Sequence, residues 1–253
     1  MQKKLKGFYL ILASFLICFL HLPFAFGKKS AFSLQSLPHS DKTLTRSTDS
    51  VALISSHRSS VYDSLHLEIS GLSKKAFDLA QKGFYKIDHQ GRLTNDSVLS
   101  IIDFSQSSDK KRLYVLDLKN YKVLYNTLVA HGRKSGKLWA QSFSNRPSSY
   151  KSSLGFYITG QTYDGNNGYS LKLEGLEKGF NSNAGRRAIV LHGAGYVCDS
   201  YINDQGYIGR SEGCPAVPQQ YAKDIINTIK DGTCLFIYYP DKIYRQRSLL
   251  TKG

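Results

Sequence analysis

The chain has 253 residues, which at ~150 residues per domain is room for one full domain with accessory segments rather than two large domains. With 41% hydrophobic, 12% aromatic and 21% charged residues, it is a globular composition, which excludes wholesale disorder, a collagen and a polytopic membrane protein. The formal net charge of +15 points to an anionic partner, whether nucleic acid, anionic lipid or an acidic envelope polymer, and charge alone does not choose among them.

The chain opens with Lys3, Lys4 and Lys6, continues through an uncharged apolar run, and reaches Ala25-Phe26-Gly27, a small-x-small cleavage pattern. That order predicts a secretory signal over residues 1–27, and the alternative is an uncleaved anchor, since Gly7 to Phe26 is long enough to span a bilayer. Ile17 ahead of Cys18 argues against a lipoprotein site, which wants a small residue there. Export to the periplasm or cell envelope leaves no place for nucleic acid as partner, restricts membrane contact to an uncleaved N-terminus, and permits disulfides. Losing the leader leaves a net charge of +12.

Residues 28–65 are rich in Ser, Thr, Lys and Arg with little apolar periodicity, the composition of a linker. A helical segment follows over 66–97, where Ser73 is a helix N-cap, Ala76, Phe77, Leu79 and Ala80 share one side, and Gly83 is a stop signal. From Ser97 the period changes. SVLSIIDF, RLYVLDL, YKVLYNTLVA, LGFYITG, YSLKL, RAIVLHG and CLFIYY are short β-branched and aromatic runs separated by turn residues, which predicts six or seven strands. Leu118 to Tyr121 suits a tight hairpin turn with Asn120 in the left-handed region. Pro218 then opens a helix with Tyr221, Ala222, Ile225, Ile226 and Ile229 on its apolar face and Gly232 as its end. The expected architecture is a mainly β domain over 98–245, with a few short helices, an N-terminal helical segment and a tail at 246–253.

Reactive residue types concentrate between Leu191 and Pro218. Gly209-Arg210-Ser211-Glu212-Gly213 matches the G-x-S-x-G turn of serine hydrolases, but that fold needs its base downstream and His192 is the last histidine. A metal site from His192, Cys198, Cys214 and Cys234 lacks the close ligand pairs of structural zinc. A third reading is structural, with a packed thiol and a histidine satisfied at a strand end. The fourth is a cysteine nucleophile: His192 closes a strand, Cys214 lies 22 residues on, and a neutral imidazole can take the thiol proton. Gly213 and Pro215 around Cys214 suit a sharp turn with amides facing an oxyanion.

His192-Gly193 followed by Ser211-Glu212-Gly213-Cys214 resembles the H-G … S-x-G-C signature of the YkuD-type L,D-transpeptidase catalytic domain. The phrases Ile102 to Ser105, Val129 to Arg133, Phe143 to Asn145, Ser153 to Phe156 and Gly209 to Pro215 extend the likeness from about Leu67 to Tyr244. The resemblance implies an L,D-transpeptidase-type β-sandwich acting on peptidoglycan stem peptides. By it, Cys214 is the nucleophile that forms a thioester and releases D-Ala, and His192 is the base. Gly193 holds the base's other ring nitrogen through its carbonyl, the amides of Gly213 and Cys214 form the oxyanion site, and Ser211 is the motif serine. An amine acceptor then takes the acyl group.

Two positions depart from the common pattern: Glu212 stands where many members have His, and Ala216 where many have Arg. That opens the question of what grips the substrate carboxylate, for which Arg210 is the candidate, with Ser211 and His131 as further substrate-binding candidates. Once Cys18 leaves with the leader and Cys214 is assigned to chemistry, Cys198 and Cys234 remain. In an oxidising envelope they either stay free or pair, and an unstrained disulfide would be worth ~2–4 kcal/mol. No metal or organic cofactor is implied, because thiolate and imidazole suffice for acyl transfer. The anionic envelope polymer suits the positive charge. The same site also serves an L,D-carboxypeptidase or a wall-protein-releasing hydrolase, and the different-class alternative is a non-catalytic peptidoglycan-binding domain.

Overall fold

The computed structural model describes residues 61–252; the leader, Cys18 and the linker as far as residue 60 lie outside the described residues. Helix α1 (Lys74–His89) begins where Ser73 accepts a hydrogen bond from Ala76 N at 3.1 Å. It does not stop at Gly83. Instead Gly83 is buried in mid-helix against a ring: a β-carbon there would stand 2.0 Å from Phe156 Cζ, so the glycine is a packing notch and not a terminator.

Eight strands follow: β1 (Val98–Asp103), β2 (Leu113–Asp117), β3 (Lys122–Thr127), β4 (Gly155–Gly165), β5 (Gly168–Gly175), β6 (Val190–Ala194), β7 (Ala216–Pro218) and β8 (Cys234–Tyr238). They form one sheet in the order β3-β2-β1-β8-β4-β5-β6-β7. Helix α2 (Asp199–Gln205) precedes β7, α3 (Gln219–Ile229) follows it directly, and α4 (Lys242–Arg247) comes after β8. The mainly β class with a few short helices holds. The sheet is curled on itself rather than split in two: just beyond β3, Ala130 bridges Ala216 of β7 at the opposite edge, with Ala130 N donating to Ala216 O at 2.8 Å.

The central β8 pairs in parallel with β1 and antiparallel with β4, and its five residues are all buried. Such a continuous apolar run is what a strand covered on both faces requires. Phe156 and Phe236 stack at 4.2 Å between ring centres in the main core. Helix α1 packs on β1 and β8, and α3 packs Ala222, Ile225, Ile226 and Ile229 towards β5, β6 and β7. Tyr221, expected on that face, is 47% exposed instead. In the β2–β3 turn the left-handed residue is Tyr121 (φ 53°), not Asn120, whose backbone and side-chain amides both donate to Asp117.

Both ends of the described chain are integral to this core. Val61, Tyr62 and Leu65 are buried in it, although the composition placed 28–65 in a linker. At the far end, Ser248 is buried and donates to Glu177, while Lys86 Nζ donates to Leu249 O at 3.0 Å. The helical segment and the tail are therefore parts of one packed body with the strands.

Candidate active site

The seam where the curled edges meet carries the reactive cluster. Ser211 N donates to His131 O at 3.0 Å and Arg133 N to Ser211 O at 2.7 Å, so the strand running on from β3 clamps the turn ahead of β7. Within the turn, Ser211 Oγ accepts from Gly213 N at 3.1 Å and donates to Cys214 O at 2.6 Å. A buried hydroxyl engaged as both acceptor and donor braces backbone; it is not presented as a nucleophile, which removes the serine-hydrolase reading. Gly213, expected to turn its amide to an oxyanion, has that amide on Ser211. Its φ of 130° favours glycine, and a β-carbon there would stand 2.9 Å from Lys151 O and 3.1 Å from Arg187 Nη2.

His192 lies on β6, and the parallel register pairs it with Ala216, two residues past Cys214. His192 N donates to Pro215 O at 3.4 Å. The ring Nδ1 is 2.9 Å from Gly193 O; a carbonyl only accepts, so Nδ1 carries the proton and Nε2 keeps its lone pair. Burial pushes the imidazole below its ordinary pKa, with the Gly193 carbonyl opposing, which leaves the ring neutral at neutral pH. The Cys214 thiol donates to Ala188 O at 3.7 Å. Burial pushes it up from its ordinary value, the Val190 amide and the Arg187 guanidinium pull it down, and Glu212 pushes it up. At rest the arrangement is a neutral thiol in the turn ahead of β7, on Ala188 O, and a neutral imidazole on β6, whose rung partner is Ala216.

Arg187 is the residue that sequence reasoning missed here. It precedes β6, ahead of Ala188 in the left-handed region (φ 51°). The sequence shows only an Arg186-Arg187 pair, and which of the two turns inward depends on that reversal. Tyr196 was also missed; burial first, then the Cys214 charge, push its phenol up to about 12.

Arg210 donates from Nη1 to Arg133 O at 3.2 Å and Gly136 O at 2.9 Å, bracing the 133–136 loop. His131 is fully buried in the core. Arg112 Nη2 meets its Nδ1 at 2.7 Å, and burial, with the Arg112 charge second, lowers its pKa to about 3. It is a neutral packing residue away from solvent rather than a pocket side chain. Glu212 is exposed and lies 3.5 Å from Arg133 Nη2, and Ala216 is buried in the seam.

Of the two outcomes open for Cys198 and Cys234, the structure has both as free thiols. Cys234 is fully buried in β8 between β1 and β4, whereas Cys198 caps α2 and lines a cavity of about 550 Å³ with Tyr125 and Tyr221. Among the described residues no group of three or more His, Cys, Asp or Glu side chains could hold a metal ion.

The L,D-transpeptidase catalytic domain family matches residues 68–238. The chain belongs to that family. Three solved structures to which the chain is similar are an L,D-transpeptidase from Mycobacterium smegmatis, the helical cell shape determining protein Pgp2 from Campylobacter jejuni, and an L,D-transpeptidase from Stackebrandtia nassauensis. The first is 12% identical over 56% of this chain and 59% of its own, with a TM-score of 0.35. Pgp2 is 12% identical over 65% and 56%, TM-score 0.40. The third is 14% identical over 66% and 67%, TM-score 0.35. The chain thus spans less than two thirds of the first two. No curated protein matches.

Proposed function

We propose that the protein is an exported peptidoglycan L,D-transpeptidase in which Cys214 is the nucleophile and His192 the general base. The observation that carries this is the His192 ring: neutral, with Nδ1–H held by Gly193 O, it leaves Nε2 as an acceptor, and the backbone of β6 is registered on the segment two residues past the thiol. In the first half-reaction Nε2 takes the Cys214 proton, and the sulfur attacks the carbonyl between the third-position diamino acid and the fourth-position D-Ala. The proton passes to the D-Ala nitrogen as the C–N bond breaks, leaving a thioester. An acceptor amine then displaces the sulfur, its proton returning through His192. With the Gly213 amide on Ser211, the Cys214 amide is the oxyanion donor at this turn. Substrate binding has to supply the last part of thiol activation, since burial favours the neutral thiol at rest. The positive mature chain suits an anionic wall surface in the periplasm or envelope.

The test is mass analysis of tetrapeptide muropeptides incubated with the protein and with Cys214→Ala. Cross-linked or exchanged products that vanish in the variant support the proposal. D-Ala release with no new linkage would move the assignment to a carboxypeptidase, and unchanged muropeptides with both proteins would move it to a binding domain.

A further inference from the structure

The guanidinium of Arg187 is half-buried against the nucleophile turn, and among the described residues it meets no carboxylate. Its partners are all neutral oxygens: Nη1 donates to Ser144 O at 2.7 Å and to Ser153 Oγ, and Nη2 to Ser149 Oγ at 3.2 Å and Lys151 O at 2.5 Å. Four of the five N–H donors are therefore engaged, which leaves no fork for a bidentate grip on a substrate carboxylate. What remains is the charge. Nη2 would stand 3.1 Å from a β-carbon on Gly213, the residue before Cys214. The neighbouring residue, Ala188, supplies the carbonyl that holds the Cys214 thiol. The loop that Arg187 ties down carries Ser148 and Tyr150 with φ of 54° each, backbone that non-glycine residues hold only under constraint.

We propose that Arg187 is a positioning residue for Cys214: its unpaired positive charge favours the thiolate, while its fork fastens the 144–153 loop to the nucleophile turn. The charge stands in the site although Ala216 occupies the position where a motif arginine is common, and it approaches from the entry of β6 instead. At rest the half-buried cation is held by those four neutral oxygens, and the thiolate that forms during the reaction is the first anion it meets. The nearby charges that bear on the thiol are Arg187 itself and the exposed Glu212, which opposes it. The inference rests on Cys214 being the nucleophile, and it concerns how that thiol ionises.

The experiment is the pH dependence of Cys214 alkylation by iodoacetamide. Peptide-resolved mass analysis keeps the half-exposed Cys198 from contributing to the signal. Wild-type protein is compared with Arg187→Gln, which removes the charge, Arg187→Lys, which keeps the charge without the fork, and Ser153→Asp, which sets a carboxylate against the guanidinium in place. The half-point for Cys214 is expected to rise by about one pH unit in Arg187→Gln and Ser153→Asp and to stay near wild type in Arg187→Lys. Equal rises in the Lys and Gln variants would mean that only the fork matters, and a half-point unmoved in both the Gln and Asp variants would mean that the charge does not; either overturns the proposal. If Arg187→Gln does not fold, Ser153→Asp decides by the same criterion. A shift without transpeptidation products would sink the proposed function and leave this inference standing, and products without a shift would do the reverse.

Discussion

Ser211 and His131 show how much of the site depends on single side chains that never touch the substrate in this account. Ser211→Ala removes the acceptor for the Gly213 amide and the donor to Cys214 O, leaving two buried backbone groups unpaired. The expected cost is about 1–3 kcal/mol of stability in urea unfolding, with kcat for D-Ala release falling roughly tenfold while KM changes little. His131 links stability to pH. Its folded pKa of about 3 lies below the ordinary 6.5, so across that window the unfolded chain carries a proton that the folded ring does not. Stability therefore falls as pH drops from about 6.5 towards 3, by up to ~1.4 kcal/mol per pH unit, and His192, also lowered by burial, adds in the same direction. Urea unfolding at pH 7 and pH 4.5 measures this. His131→Asn, which keeps an acceptor for Arg112 without a titrating ring, is expected to show the shallower dependence, and an unchanged slope would contradict it.

At the scale of elements, Gly83 gives a result opposite to helix propensity. Ala is ordinarily better than Gly in a helix by ~1 kcal/mol, but here the added methyl meets Phe156 at 2.0 Å. Gly83→Ala is therefore expected to lower the denaturant midpoint by the equivalent of about 1–3 kcal/mol. The same residue explains why the end of α1 was not legible: a glycine that stops a helix and a glycine that admits a ring look alike in sequence. The long β runs were legible because strands buried on both faces need continuous apolar residues. β7, with three residues, has no period to read, and α2 lies in a polar loop. Cys214 and His192 could be found from the residue types clustered around them. Arg187 could not, because its direction is set by the left-handed Ala188 and by carbonyls in a loop more than 30 residues upstream.

For the whole molecule, closure is the feature that the linear pattern conceals. The parallel β1–β8 pair joins residues more than 130 positions apart, and the site exists only where the run beyond β3 seals against β7. At the other side of the molecule the C-terminal segment is tied to β4 through Glu177, whose carboxylate takes hydrogen bonds from Phe156 N at 2.9 Å, Tyr244 Oη at 2.7 Å and Ser248. Deleting residues 248–253 is expected to cost about 1–3 kcal/mol in thermal or urea unfolding, because it leaves a buried carboxylate short of a partner. A titration of denatured, unreduced protein should find Cys198, Cys214 and Cys234 all as thiols; a loss of two would contradict the free pair. The central claim, that Cys214 carries the acyl group, is tested most directly by peptide-mapped mass analysis of the protein quenched in acid during turnover of a tetrapeptide stem. An adduct equal to the stem less D-Ala is expected on the peptide containing Cys214, absent in Cys214→Ala and formed slowly in His192→Gln. Product formation with no such adduct, or an adduct on Cys198 instead, would contradict it.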